Sequence, residues 1–329
     1  MQASPSIHGG LDRNSGSIAT YNTGFLNNRP IYWLGQWLLE NIEPEALYPM
    51  TRFFGELMHL TMGRFRRQVR SNMLQVLRHL RPQMPPAERL WRAFSITHRL
   101  FWNRADMYTD HALLTGRRTS ASLATYGWVG DFPSLTRRLA SGKGAIFASA
   151  HLGNWHEGSV GVSRLLGTGR GGPPLRTLLF KNPRQARFLD GFARRASLRQ
   201  TYVTAEADPF LMVELVRGLR QGELLALLAD VPWDNRWVEV PFFGRPTRFP
   251  VGPARLARLA EVPLYPAFCV WKQRRHFVST ICEPIEVSGP DPLEAEQRAV
   301  ARFAAVLEGF VSENLDQWFN FNAVWGAPS

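Results

Sequence analysis

The chain has 329 residues, 45% of them hydrophobic, with 39 Lys and Arg against 27 Asp and Glu and a formal net charge of +12. This is enough apolar material for a large core, which excludes a disordered or fibrous chain, and two cysteines, Cys269 and Cys282, exclude a disulfide scaffold and match no metal-ligand spacing. The basic surface calls for an acidic partner (anionic lipid, phosphate, an acidic carrier protein or nucleic acid), and no basic–aromatic recognition motif favours the last.

Residues 1–28 are polar and rich in Gly, Ser and Asn, without the apolar centre of a signal peptide, and read as a disordered N-terminus. From Pro30 to Met62 the chain is aromatic and aliphatic, with breaks expected near Pro44 and Pro49, and a basic run, Arg64 to Arg70, follows. An apolar helix beside arginines has the composition of an interfacial anchor; an amphipathic helix pair packed on the core has it too. No apolar stretch reaches the length of about 18 residues needed for a membrane span, so the protein is expected in the cytosol or on a membrane surface. A long helix is expected from Pro86 to Met107 and a shorter one from Pro133 to Ser141.

A strand over Gly144–Ala150 then opens a strand–helix alternation. Strands are expected at Leu175–Phe180, Leu224–Ala229, Val262–Trp271 and His276–Ile285. Helices are expected at Pro183–Arg199, from Asp208 as N-cap to Gly222, at Pro253–Glu261, and from Asp291 onward. The alternation argues for an α/β fold: a mixed, mostly parallel sheet flanked by helices, preceded by a helical segment. The implied division is a disordered 1–28, a helical membrane-proximal 29–130 and an α/β core over 131–329.

His151-Leu-Gly-Asn-Trp-His-Glu157 is the most informative stretch. It places a histidine at the carboxyl end of a strand, where ligands collect in open α/β sheets, with a carboxylate close behind. An imidazole held by a carboxylate has the parts of a general base. Asn154 with Glu157 also reads as a helix N-cap device, and His156 is either a solvent-facing helix residue or a second imidazole of the site. Asp230, at the end of the strand Leu224–Ala229, is either a site residue or a turn aspartate. Phe242 and Phe243 are candidates for lining an apolar groove, with core packing the plainer reading. Arginines from Arg184 to Arg199 could meet a phosphate or an acidic carrier, with a solvated basic face the equal alternative. Gly167-Thr-Gly-Arg-Gly-Gly172 follows a helical segment and precedes two prolines, the reverse of a dinucleotide-binding context, and no Gly-x-Ser-x-Gly elbow supplies a serine nucleophile.

The stretch His151–Trp155 resembles the first signature block of the bacterial lipid A biosynthesis late acyltransferases, within the lysophospholipid and glycerophosphate acyltransferase superfamily. That block places the acid after four intervening residues, where this chain has His156, with Glu157 one place later. Gly222–Asp230, Val240-Pro-Phe-Phe-Gly-Arg-Pro246, Val251–Ala257 and Val262–Phe268 are similar to later blocks, and Arg66-Arg67 with Asn72 to the N-terminal helical region. The family's block-two arginine has Lys181-Asn182-Pro183 in its place, and the C-terminal stretch is Gln317–Asn322.

The resemblance implies a glycerophosphate acyltransferase-like fold and transfer of a fatty acyl chain from acyl carrier protein or acyl-CoA to a hydroxyl of a lipid or glycolipid such as a lipid A precursor. It implies a peripheral position on the cytoplasmic face of the bacterial inner membrane, with neither cofactor nor metal. His151 would be the base and Glu157 its orienter. Asn154, His156, Lys181, Arg184, Asp230, Phe242, Phe243, Gly244 and Arg255 would serve the substrates. The displaced acid leaves a second reading open, a catalytically silent lipid- or carrier-binding homologue.

Overall fold

The computed structural model describes residues 37, 41–115, 125–167, 171–179, 200–204, 210–232 and 236–325. Residues 1–28, the expected helix over 183–199 and its arginine cluster, the Asp208 N-cap, Lys181 and Arg184 lie outside them.

From residue 44 the chain runs through α1 (Pro44–Thr61), α2 (Gly63–Leu80) and α3 (Pro86–Thr115). Pro44 starts α1, as its fixed φ allows, but Pro49 does not break the helix. Contacts with α3 hold that turn in place: the Tyr48 hydroxyl donates to Asp110, Thr109 to Thr51, and Arg52 grips Asp106 through two nitrogens. α3 begins at the expected Pro86 and runs past Met107 to Thr115, because no proline or glycine interrupts the sequence before Gly116.

Among the described residues, seven strands form one sheet in the order β1-β9-β8-β2-β5-β3-β4, and β6 and β7 form a separate antiparallel hairpin. In chain order these are β1 (Thr125–Gly130), β2 (Ala145–Ser149), β3 (Leu175–Leu179), β4 (Gln200–Thr204), β5 (Leu224–Leu228), β6 (Trp237–Phe242), β7 (Arg245–Pro250), β8 (Leu264–Gln273) and β9 (His276–Ile281). Every pairing in the sheet is parallel except that of β8 with β9. The expected mixed, mostly parallel sheet is thus present. Strand β1 lies inside the 29–130 stretch expected to be helical and pairs with β9 at one edge.

Both faces of the sheet are covered, by α4 (Phe132–Ala140), α5 (Trp155–Leu165), α6 (Leu211–Arg220), α7 (Gly252–Ala260) and α8 (Pro292–Glu313). Successive residues of a strand point to opposite faces. Ala145 and Phe147 accordingly join Leu135 and Val162, while Ile146 and Ala148 join Leu215, Leu256, Phe303 and Leu307. A strand apolar on both faces belongs in the middle of a covered parallel sheet, and β2 is central. The C-terminal segment after α8 is strapped to α2 by Asn72, whose amide donates to the carbonyls of Asn320 and Asn322 and whose oxygen accepts from the Val324 amide.

Candidate active site

Strands β2 and β5 are parallel neighbours with Ser149 opposite Leu228, and the ladder continues as Ala229 N–H donates to the Ser149 carbonyl at 2.8 Å. Two residues beyond each register partner stand His151 and Asp230. One Asp230 carboxylate oxygen lies 2.8 Å from His151 Nδ1 and the other accepts from the His151 backbone amide at 3.1 Å. With Nδ1–H donated to Asp230, the imidazole lone pair sits on Nε2. His151 is 6% exposed, enough shelter to fix the ring.

The loop after His151 is gripped from two sides. Gly153 has φ +61, and a Cβ there would come within 2.1 Å of the Cys269 carbonyl, so only glycine fits. Asn154 N–H donates to that carbonyl, while Gly153 N–H donates to Gln317 and Phe319 N–H donates to the His151 carbonyl. The Gln317 side chain adds bonds to the Trp271 backbone on β8. The stretch Gln317–Asn322 therefore braces the histidine loop.

Asn154 caps α5, its side chain accepting from Glu157 N–H at 3.3 Å, so the cap reading of Asn154 holds. Glu157 is 0% exposed and accepts the Tyr126 hydroxyl of β1 at 2.9 Å. Burial, with the Glu157 charge next, holds the Tyr126 phenol well above its ordinary range. The carboxylate on His151 Nδ1 is Asp230's, not the one expected from Glu157. The reason is geometric: Glu157 belongs to the first turn of α5, whereas adjacent strand ends bring Asp230 alongside His151. His156 is buried in the same turn, tilted against Trp155 at a ring separation of 5.4 Å.

Trp155 meets His151 edge-on at 5.2 Å, and the buried Arg104 of α3 lies over Trp155 at 4.9 Å and over Phe319 at 5.5 Å. Sequence reading missed both as site neighbours. Trp155 was legible as part of the His151 motif; nothing in the helix sequence tied Arg104 to it. Trp155 also borders a cavity of about 50 Å³ between α5 and the sheet, lined largely by apolar groups including Phe147, Val162, Leu175 and Cys269. Burial pushes the Cys269 thiol up to about 12, so it is no nucleophile at neutral pH.

Phe242, Phe243 and Gly244 form the turn of the β6–β7 hairpin, where Phe243 and Gly244 both have positive φ, as a type I′ turn requires. Both phenylalanines are fully buried against Trp318 and Trp325, and Gln75 and Glu308 bond the Phe243 backbone. Core packing accounts for them. Arg255 lies on α7 and, with Arg258, grips the buried Glu296 of α8, an interhelical tie. Among the described residues, the one group of three His, Cys, Asp or Glu atoms close enough for a metal lies on α1 and α3.

Residues 28–326 match the family described as bacterial lipid A biosynthesis acyltransferase. Two phosphatidylinositol mannoside acyltransferases of Mycobacterium tuberculosis strains are 31% identical to this chain over 179 residues, 54% of each protein. A phosphatidylinositol mannoside acyltransferase of Mycolicibacterium smegmatis is 25% identical over 263 residues, 78% of this chain and 79% of that protein. The chain thus spans about half the length of the two tuberculosis relatives it matches. With the family match running nearly end to end and the sheet built as that resemblance implies, the chain belongs to the bacterial lipid A biosynthesis acyltransferase family.

Proposed function

We propose that this protein moves a fatty acyl chain from a thioester, on acyl carrier protein or coenzyme A, to a hydroxyl of a membrane glycolipid. The observation that carries the reading is the His151–Asp230 pair at the ends of two adjacent parallel strands. An alcohol is a weak nucleophile until a base takes its proton. His151 Nε2 accepts that proton as the oxygen attacks the thioester carbonyl. The tetrahedral intermediate collapses with cleavage of the C–S bond, the imidazolium returns the proton to the thiolate, and ester and thiol leave. Asp230 holds the ring and stabilises its charged form. The start of α5, just after the His151 loop, presents the positive end of a helix dipole.

The family match and the relatives support an acceptor of the glycolipid class, and our candidates are a mannosylated phosphatidylinositol and a lipid A precursor, each offering sugar hydroxyls beside phosphate. We infer a peripheral position on the cytoplasmic face of the inner membrane. Support comes from the apolar side chains that α1 leaves uncovered, Phe53 at 68% and Leu60 at 63% exposure, with Trp91 of α3 at 68%. Arg64, Arg67 and Arg70 of α2 follow α1 directly, a pairing suited to an anionic lipid surface. No helix among the described residues is long and apolar enough to cross a membrane.

The test offers palmitoyl-coenzyme A and palmitoyl carrier protein as donors, with each glycolipid as acceptor in mixed vesicles, and reads products by mass spectrometry. The proposal expects a glycolipid heavier by one acyl chain from at least one pairing. Vesicle binding without product from any pairing would favour the silent homologue instead.

A further inference from the structure

We propose that Glu56, His59 and His98 form a binding site for a divalent transition metal of the zinc class, joining α1 to α3. One ligand atom from each lies within 4.8 Å of the others. Glu56 and His59 stand one turn apart on α1, a Glu-x-x-His spacing that points both side chains the same way, and His98 faces them from α3. His98 Nε2 is 2.6 Å from Glu56 Oε2, and the same oxygen accepts the Trp102 indole N–H at 2.9 Å. A liganding carboxylate held by an outer donor is the usual construction of a protein metal site.

His59 is the decisive residue. An ordinary ion pair accounts for His98 and Glu56 but leaves no role for it. Its ring is 5% exposed, neither Nδ1 nor Nε2 has a hydrogen-bond partner among the described residues, and it sits 4.7 Å from the His98 ring at an interplanar angle of 47°. Buried polar atoms are nearly always satisfied, so an imidazole with two orphan nitrogens beside a histidine and a carboxylate calls for a ligand. Two imidazoles and one carboxylate suit zinc, cobalt or nickel rather than magnesium or calcium. Metal bonds of about 2.0–2.1 Å set ligand atoms about 3.3 Å apart in a tetrahedron, within reach by small side-chain rotations. Glu56 and His98 keep 37% and 29% of their side-chain surface exposed, which gives an entry path and a water for the fourth position. Bound metal would fasten the half of α1 that carries Leu57 and Leu60 to α3, beyond the reach of the Arg52–Asp106 and Tyr48–Asp110 contacts.

The experiment titrates the metal-free full chain with Co²⁺ and then Zn²⁺, following the visible Co²⁺ bands, the melting temperature and the imidazole ¹⁵N resonances of its eight histidines. One Co²⁺ per chain should bind, yield to Zn²⁺, raise the melting temperature and shift two histidines. His59→Gln, His98→Gln and Glu56→Gln should each weaken binding by more than about 100-fold, and Trp102→Phe by about tenfold. Absence of stoichiometric uptake by the wild type, uptake without a shift of two histidines, or full uptake by any folded ligand variant would overturn the site. The resonances are read on the unaltered protein, so a variant that does not fold leaves the decision intact.

Discussion

Asp230 holds His151 twice, one carboxylate oxygen on ring Nδ1 at 2.8 Å and the other on the backbone amide at 3.1 Å. The double contact fixes ring and chain together, which is what a general base needs to present Nε2 to a substrate. Asp230→Asn places an amide where two donors are already aimed, so one contact becomes donor against donor. The variant should lose about 10²- to 10⁴-fold in kcat. Retention of a folded far-ultraviolet spectrum alongside that loss checks that orientation, and not the fold, has been removed.

Glu157 and Asp230 can be separated in the same assay. Glu157→Gln keeps a carbonyl oxygen for the Tyr126 hydroxyl and should cost less than about tenfold in kcat, since acid–base groups proper contribute far more. Tyr126→Phe leaves a buried carboxylate short of a donor and should lower stability by about 1–3 kcal/mol in urea unfolding. A loss in Glu157→Gln as deep as that in Asp230→Asn would return the orienting role to Glu157.

Arg255 resembles a substrate-binding position in sequence, yet it meets Glu296 across α7 and α8. Arg255→Ala should leave KM for both donor and acceptor within about twofold. It should reduce stability by about 1–3 kcal/mol, because Glu296 is buried and keeps only Arg258 as its cationic partner among the described residues. Steady-state kinetics beside a denaturant titration read both outcomes.

Burial raises the Asp110 carboxyl from 3.8 to about 7, against the hydrogen bond from Tyr48. A folded value above the unfolded one means that the folded state binds the extra proton. The contribution of Asp110 is therefore complete below about pH 4 and is lost as pH rises through 7, by up to about 1.4 kcal/mol per unit between them. The stability difference between wild type and Asp110→Asn should change with that slope. Parallel pH profiles for the two proteins would count against a protonated Asp110.

Much of the sheet was legible because its central strands are short apolar runs bounded by Gly, Pro and charged residues, and because parallel strands buried on both faces need no alternation. The β6–β7 hairpin was not read, since Pro241, Pro246 and Pro250 argue against strands unless they lie in a two-stranded ribbon with free edges, as they do here. His151 and Asp230 were each visible as strand-end residues. Their pairing was not, because the adjacency of β2 and β5 is set by sheet order, with β3 and β4 intervening in the chain. The local carboxylate, Glu157, attracted the orienting role because sequence proximity is what a linear reading sees. Glu56, His59 and His98 escaped notice for the same reason, their ligand set being divided between two helices.

The most direct test is single-turnover transfer of a labelled acyl group from a thioester to a glycolipid by wild-type protein and by His151→Ala, each shown to be folded by its melting temperature. Loss of the base should slow transfer by about 10²- to 10⁴-fold. Wild-type rates from the folded alanine variant would contradict proton abstraction by His151 and the chemistry built on it.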